Sequence, residues 1–248
     1  MEAARVSALR GYRVTLWEKN DKLGGNLVAA AVPEFKKDLR DYIHYLSNQL
    51  IKLGVKTELK KKVSAELVQV MAPDAVILAT GATHIIPNIK GAEGNNVVTA
   101  IEVLLGKREV GENVVVAGGG LIGCEVAAYL GESNKRVIII EMLDDIGLNM
   151  PRTARIQLLE MLAKSKVNIL TNSTLLEIVE GAVIVESKGE KKKIKTDSVV
   201  LALGLKGDSA LLDELRDKVA ELRIVGDCVK PGRIIDAVWG AYRAARLI

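Results

Sequence analysis

Residues 113–130 read NVVVAGGGLIGCEVAAYL, and residues 135–141, after four intervening residues, read KRVIIIE. A run of Val residues with no polar alternation is the mark of a strand covered on both faces. It enters Gly118-Gly119-Gly120-Leu121-Ile122-Gly123, and an Ala-rich helix leaves. Gly118, Gly120 and Gly123 fill the GxGxxG positions. The first permits a tight turn, the second lets backbone approach a pyrophosphate, and the third lets helix and strand pack closely. The helix start adds free N–H groups and a positive dipole end. Glu141 closes the next strand 18 residues after Gly123, near the spacing at which an acid meets a ribose 2′-hydroxyl. A lone glycine motif is weak, but strand, loop, helix, strand and acid in this order point to a bound dinucleotide. With Asp144 and Asp145 close by and no Arg adjacent in sequence, a 2′-phosphate would be repelled, which favours NAD(H) over NADP(H).

Working outward, short β-branched runs alternate with helical stretches. Strands are expected at 12–18, 55–58, 75–79, 113–117, 136–141, 167–170, 175–179, 183–187, 192–195, 198–202 and 222–225. Helices are expected at 2–10, 35–53, 122–132, 153–165 and 234–247. In the second of these, Phe35, Leu39, Tyr42, Ile43, Leu46, Leu50 and Leu53 recur at three- and four-residue steps, an amphipathic stripe. Strand–helix alternation means an α/β protein with right-handed crossovers. Residues 175–203 differ: short strands with turns at Glu180-Gly181 and Lys188-Gly189 predict an antiparallel meander. Its lysines 191, 192, 193 and 195 fit a solvated hairpin edge better than a phosphate patch.

The composition narrows the function. The 248 residues are 49% hydrophobic, enough for a substantial core, so a disordered chain is excluded. A net charge of +4 and 3% aromatics give no footing for nucleic acid. The longest stretch without Lys, Arg, Asp or Glu, residues 75–89, is too short and too broken by Gly81, His84 and Pro87 for a membrane span. No signal-peptide h-region follows Met1, and a soluble, cytoplasmic protein is expected. The two cysteines, Cys124 and Cys228, form neither a disulfide framework nor a CxxC pair, and read as small packing residues. With two histidines, His44 and His84, no metal site is expected. A homo-oligomer is compatible with all of this.

A second nucleotide signature lies around the first. YRVTLWE (12–18) ends in Glu18 as KRVIIIE ends in Glu141, and is followed by Leu23-Gly24-Gly25. DAVILATGA (74–82) places Thr80-Gly81 at the end of a strand, and residues 222–248 give a strand, Gly226-Asp227, a loop and a helix. In this order the motifs resemble the flavoprotein reductases with two dinucleotide-binding domains, the group of glutathione and thioredoxin reductases. EKNDKLGG, GGGLIGCEVAAYLG and GDC…RIIDAVWGAYRAA are similar, more narrowly, to the C-terminal half of the NADH:flavin oxidoreductases of the 2,4-dienoyl-CoA reductase, 2-enoate reductase and trimethylamine dehydrogenase family.

That resemblance implies two Rossmann-like domains of the glutathione-reductase type plus the meander: a discontinuous FAD-type domain, 1–106 with 216–248, and an NAD domain, 107–215. By the same resemblance Glu18 would hold the ribose of FAD or of ADP, and Gly24, Gly25 and Asn26 would line the flavin side. Thr80 and Gly81 would pass the adenosine-pyrophosphate half. Gly226 and Asp227 would meet the ribityl chain, and the helix start at Arg233 and Ile234 would point at the flavin. Gly118, Gly120, Gly123 and Glu141 would hold NAD(H), with Glu125 either beside the nicotinamide or merely a solvated helix acid. His84 reads as a loop residue, with a place near a flavin edge as the sharper alternative.

Two departures stand out. Members carry a strand and a glycine loop before the helix that residues 1–14 resemble, so the chain is expected to be an N-terminally truncated piece with an unpaired inner sheet edge and weak FAD retention. Members also carry an N-terminal barrel with FMN and an iron–sulfur cluster, which would be the partner domain of the same polypeptide. The expected activity is hydride transfer from NADH to FAD and onward to that FMN, as the fragment of an NADH-dependent flavoprotein oxidoreductase. The alternatives are a non-catalytic ADP- or NAD-binding module and a free-standing NADH:acceptor reductase. No residue here is expected to be a general acid or base, and the final substrate, enoyl-CoA, enoate or amine, is not legible.

Overall fold

A computed structural model describes residues 1–148 and 150–248. From the N terminus the elements are α1 (Glu2–Leu9), β1 (Thr15–Trp17), α2 (Asn26–Ala30), α3 (Asp38–Lys52), β2 (Lys56–Glu58), α4 (Ala65–Met71), β3 (Ala75–Leu78), β4 (Ala82–His84), β5 (Val97–Thr99) and α5 (Ala100–Leu104). They continue with β6 (Asn113–Ala117), α6 (Leu121–Glu132), β7 (Arg136–Ile140), α7 (Arg152–Lys164), β8 (Asn168–Leu170), β9 (Ser173–Val179), β10 (Ala182–Ser187) and β11 (Glu190–Lys195). The last are β12 (Ser198–Leu201), β13 (Leu205–Gly207), α8 (Ala210–Leu215), β14 (Glu221–Ile224) and α9 (Ile234–Arg246). The chain divides into two compact units, residues 1–83 with 205–248, and residues 84–204.

The second unit is built on a five-stranded parallel sheet in the order β5-β12-β6-β7-β8. Val114, Val115, Val116 and Ala117 of β6 are all buried, as are Val199, Val200 and Leu201 of β12, because helices cover one face and the meander the other. The meander β9-β10-β11 is antiparallel. Val183, Val185 and Ile178 of it pack against Val115, Ile140, Val199 and Leu201 of the sheet in one cluster. Its outer strand β11 carries the four lysines on exposed positions, a solvated edge that resists pairing with another chain. Chain order reverses at β6, which has β7 on one side and β12 on the other. Ligands of open α/β sheets sit at the carboxyl ends of strands at such a switch point. The glycine loop lies there.

The first unit holds two parallel pairs, β1-β2 and β3-β14, that are not hydrogen-bonded to each other. Trp17 of β1 nevertheless shares a core cluster with Val76 and Leu78 of β3, Leu222 and Ile224 of β14, Val68 of α4 and Leu215 of α8. The helix α3 buries Leu46 and Leu50 from its apolar stripe. The helix α9 lays Ala241, Ala244 and Ala245 on Ala3 and Val6 of α1, small against small, so the two helices pack closely.

All eleven sequence-expected strands and five helices are present, with ends shifted by a few residues. The short elements β4, β5, β13, α2, α4, α5 and α8 carry too few residues to show a period. Two of them do carry caps. The Ser64 side chain accepts from Leu67 N–H at the start of α4. Thr99 and Glu102 form a capping box on α5. The division between units falls at 83/84 and 204/205, where the sequence suggested 106/107 and 215/216. Strand β5 is the physical reason at the first joint: its hydrogen bonds go to β12 at the edge of the five-stranded sheet.

Candidate nucleotide sites

The glycine loop shows what each glycine does. Gly118 has φ +104°, a conformation open to glycine, and a Cβ there would lie 2.6 Å from the Ala202 carbonyl oxygen. A Cβ on Gly123 would come within 1.9 Å of the Gly118 carbonyl oxygen, so this glycine lets α6 sit directly on the loop. Gly120 differs from both: nothing lies within 4 Å of where its Cβ would be. It is the N-cap of α6 and offers no side-chain cap to the N–H groups of the first turn. The open space at Gly120, at the positive end of a 12-residue helix, fits a pyrophosphate.

Glu141 is only 9% exposed. Its Oε2 accepts the Gly119 N–H at 2.6 Å and its Oε1 accepts the Leu143 N–H at 2.9 Å. A carboxylate has about four acceptor positions, so both oxygens keep capacity for a hydroxyl. Glu125 is half-buried in α6 behind Cys124. Arg155 corrects one expectation from the sequence. Ten residues beyond Asp145, it reaches back to pair with the Asp145 carboxylate and to donate to the Ile146 carbonyl at 2.8 Å. A cation therefore does stand near the acid loop, but it is already matched by Asp145. The carboxyl of Asp145 is held below its usual range, first by the Ile146 N–H and then by Arg155.

Cys124 is buried, its Sγ pointing at the Gly119 carbonyl oxygen at 3.2 Å. Burial pushes its thiol up to about 12. Cys228 is likewise buried against the Val225 carbonyl oxygen at 3.0 Å, so both cysteines are packing residues. His84 is half-buried on β4, and burial lowers its pKa. Among the described residues there is no His/Cys/Asp/Glu cluster able to hold a metal ion, and no helix is long and apolar enough to cross a membrane.

In the first unit, Glu18 follows β1, and its Oε1 accepts both the backbone N–H and the side-chain amide of Asn20, at 2.8 and 2.7 Å. Gly24 and Gly25 both have positive φ, and the space about Gly25 is open. Asn26 begins α2 and its amide reaches the Ala82 carbonyl at 3.4 Å, beside the Thr80-Gly81 turn. Thr80 donates its hydroxyl to the Asp208 carbonyl, and Asp208 N–H returns a bond to the Gly81 carbonyl at 2.9 Å. Gly81, at φ +78°, also leaves open space. Gly226, Asp227, Asp236, Ala237 and Gly240 border an open cleft of about 390 Å³ along α9. Asp227 Oδ1 accepts the Gly232 N–H at 3.2 Å, shaping the loop before α9. At the helix start Asp236 accepts from the Arg233 N–H at 3.0 Å and pairs with the Arg233 guanidinium at 3.4 Å, while Ile234 is exposed. The positive-φ glycines without near neighbours leave room for a nucleotide backbone, and the acid at the end of β1 suits a ribose; these residues fit FAD or ADP.

Reading the sequence did not single out Gly119, Ile146, Arg155 or Asp208. Gly119 stood at an "x" of the motif, and only three consecutive glycines hinted that the middle one matters. A Cβ on it would meet Ile146 Cγ2 at 2.5 Å.

Residues 1–227 match the family model described as pyridine nucleotide-disulphide oxidoreductase, which implies FAD and NAD(P) binding. The chain is 37% identical over 251 residues to the cinnamate reductase of Clostridium sporogenes, covering 100% of this chain and 37% of that protein. It is 38% identical over 251 residues to an NADH oxidase of Thermoanaerobacter brockii, covering 99% of this chain and 39% of that protein. Among solved structures, a 2-naphthoyl-CoA reductase complex superposes with a TM-score of 0.96 at 30% identity, covering 100% of this chain and 38% of that one. The chain thus spans about two fifths of the length of the curated relatives it matches.

Proposed function

The chain belongs to the pyridine nucleotide-disulphide oxidoreductase family, and we propose that it is the pyridine-nucleotide and flavin portion of an NADH-dependent flavin oxidoreductase. The observation that carries this reading is the loop at the switch point: an open Gly120 at an uncapped helix start, with a buried acid on the next strand. Gly118, Gly120 and Gly123 hold the NADH pyrophosphate to α6, and Glu141 takes the ribose. Glu141 stands where a 2′-phosphate would come, and Arg155 is already matched by Asp145, which supports NADH over NADPH. In the first unit Glu18 takes the ribose of FAD or ADP, while Gly24, Gly25, Asn26, Thr80, Gly81, Gly226, Asp227, Arg233 and Ile234 line the rest. When bound, FAD supplies the hydride-accepting chemistry. The protein's share is orientation by backbone N–H groups and matched acids, and Glu125 lies beside the nicotinamide.

The relatives' remaining length is consistent with further domains. By resemblance these hold FMN, an iron–sulfur cluster and the substrate site, in a barrel that receives the electrons. The names of the relatives, a cinnamate reductase and a naphthoyl-CoA reductase, suggest a conjugated acid or thioester as final acceptor. The test is the visible spectrum of the purified chain supplied with FAD, before and after anaerobic NADH. A retained flavin band that bleaches supports the reading. NADH binding without any flavin retention would instead favour a nucleotide-binding module that depends on its partner domain for redox work.

A further inference from the structure

Gly119 is held from three directions by the segment after β7. Its N–H donates to Glu141 at 2.6 Å, its carbonyl accepts the Gly147 N–H at 2.7 Å, and Ile146, 1% exposed, closes the space above it. The segment is in turn tied to α7. Arg155 Nε–H donates to the Ile146 carbonyl at 2.8 Å while its Nη2 pairs with one oxygen of Asp145, whose other oxygen takes the Ile146 N–H at 2.8 Å. Arg155 also lies against Gly147, its Cγ 3.5 Å from where a Cβ would stand. The path from α7 to the glycine loop is therefore continuous: Arg155, Asp145 with Ile146, Gly147, Gly119. Gly119 immediately precedes the open Gly120, so the plane of its peptide sets where the following N–H groups aim.

We infer that Arg155 and Asp145 are a positioning pair for the dinucleotide site, acting on it through the 145–147 turn and Gly119 without touching the nucleotide. This deepens, and rests on, the NADH reading above. An exposed ion pair alone contributes little. This one is different because Arg155 is only 26% exposed and its guanidinium uses two edges at once, one for a carbonyl and one for a carboxylate. A lysine ammonium, a point charge on a flexible stem, cannot reproduce that fork.

The test is titration of NADH, NADPH and ADP-ribose into the full chain and into Arg155→Met, Arg155→Lys and Asp145→Asn, with ligand-free melting measured alongside. We expect Arg155→Met to weaken NADH and ADP-ribose alike by about tenfold, the lower end of what partners that only orient a ligand-holding group contribute at metal sites. Arg155→Lys is expected not to rescue, and Asp145→Asn to fall between. Unchanged nucleotide affinity with a lowered melting temperature would make the pair merely structural and overturn the inference. A loss confined to NADPH would make Arg155 a direct phosphate contact, which also overturns it. Should Arg155→Met not fold, the isosteric Asp145→Asn carries the same comparison. A parent chain that binds none of the three ligands would sink the NADH reading itself, a result distinct from equal binding by parent and variants.

Discussion

Two alanines, three residues apart in the glycine loop, are expected to fail in opposite ways. At Gly123 the new methyl would stand 1.9 Å from the Gly118 carbonyl oxygen and 3.0 Å from its carbon. Both atoms are backbone, so no side chain can swing aside. The contact must open by roughly 1 Å or more, prying the first turn of α6 from the loop in a close-packed interior. Overpacking of this kind costs about 3 kcal/mol or somewhat more. Alanine returns about 1 kcal/mol of helix propensity, which leaves a net loss of about 2 kcal/mol. For a chain of this size that lowers the melting midpoint by roughly 4–8 °C. At Gly120 the same methyl meets nothing within 4 Å, and φ is −71°. Gly120→Ala should therefore melt within about 0.5 kcal/mol of the parent, as open surface substitutions do. It nonetheless places a methyl where the pyrophosphate must approach, and NADH affinity should fall at least about tenfold, a loss of about 1.4 kcal/mol. Thermal melting and NADH titration of both variants give the assay. A Gly123→Ala protein as stable as the parent would refute the steric reasoning, and a Gly120→Ala protein that binds NADH normally would refute the assignment of the cradle.

Three further outcomes are expected. Because burial pushes the Cys124 thiol up to about 12, neither it nor the buried Cys228 should be alkylated near neutral pH in the native chain; both should react once it is denatured, and native-state labelling at the rate of a free thiol would contradict this. Thr99→Ala removes half of the capping box on α5 and should cost about 1 kcal/mol at neutral pH. The Thr99 N–H and then its hydroxyl hold the Glu102 carboxyl below its usual 4.5. That contribution is fully present above the unfolded value and lost as pH falls through the folded one, so the gap between parent and variant should narrow in melts taken below about pH 4.5. Leu215→Ala, at a fully buried position where α8 meets Val68 and Leu78, should cost about 2–5 kcal/mol in denaturant unfolding; a change under about 1 kcal/mol would show that this corner is loosely packed.

Four of the five strands of the parallel core, the meander and the glycine loop were legible in the sequence because each is announced locally, whereas the three-residue edge strand β5 was not. Unbroken Val/Ile runs mark doubly covered strands, and glycines at fixed offsets mark a tight turn and a close approach of helix to loop. The roles of Gly118 and Gly123 follow from backbone sterics that spacing already implies. What spacing could not show is which atoms meet once the chain closes. Glu141 binds the loop itself through Gly119, Arg155 reaches back ten residues to Asp145, and Asp208 staples the Thr80-Gly81 turn from 127 residues away. The sequence alone thus determined the class of fold and the kind of ligand, since periodicity and glycine placement act over one or two turns of chain. Only the tertiary structure decided how the loop is held, because hydrogen bonds between distant segments depend on packing that no local pattern encodes.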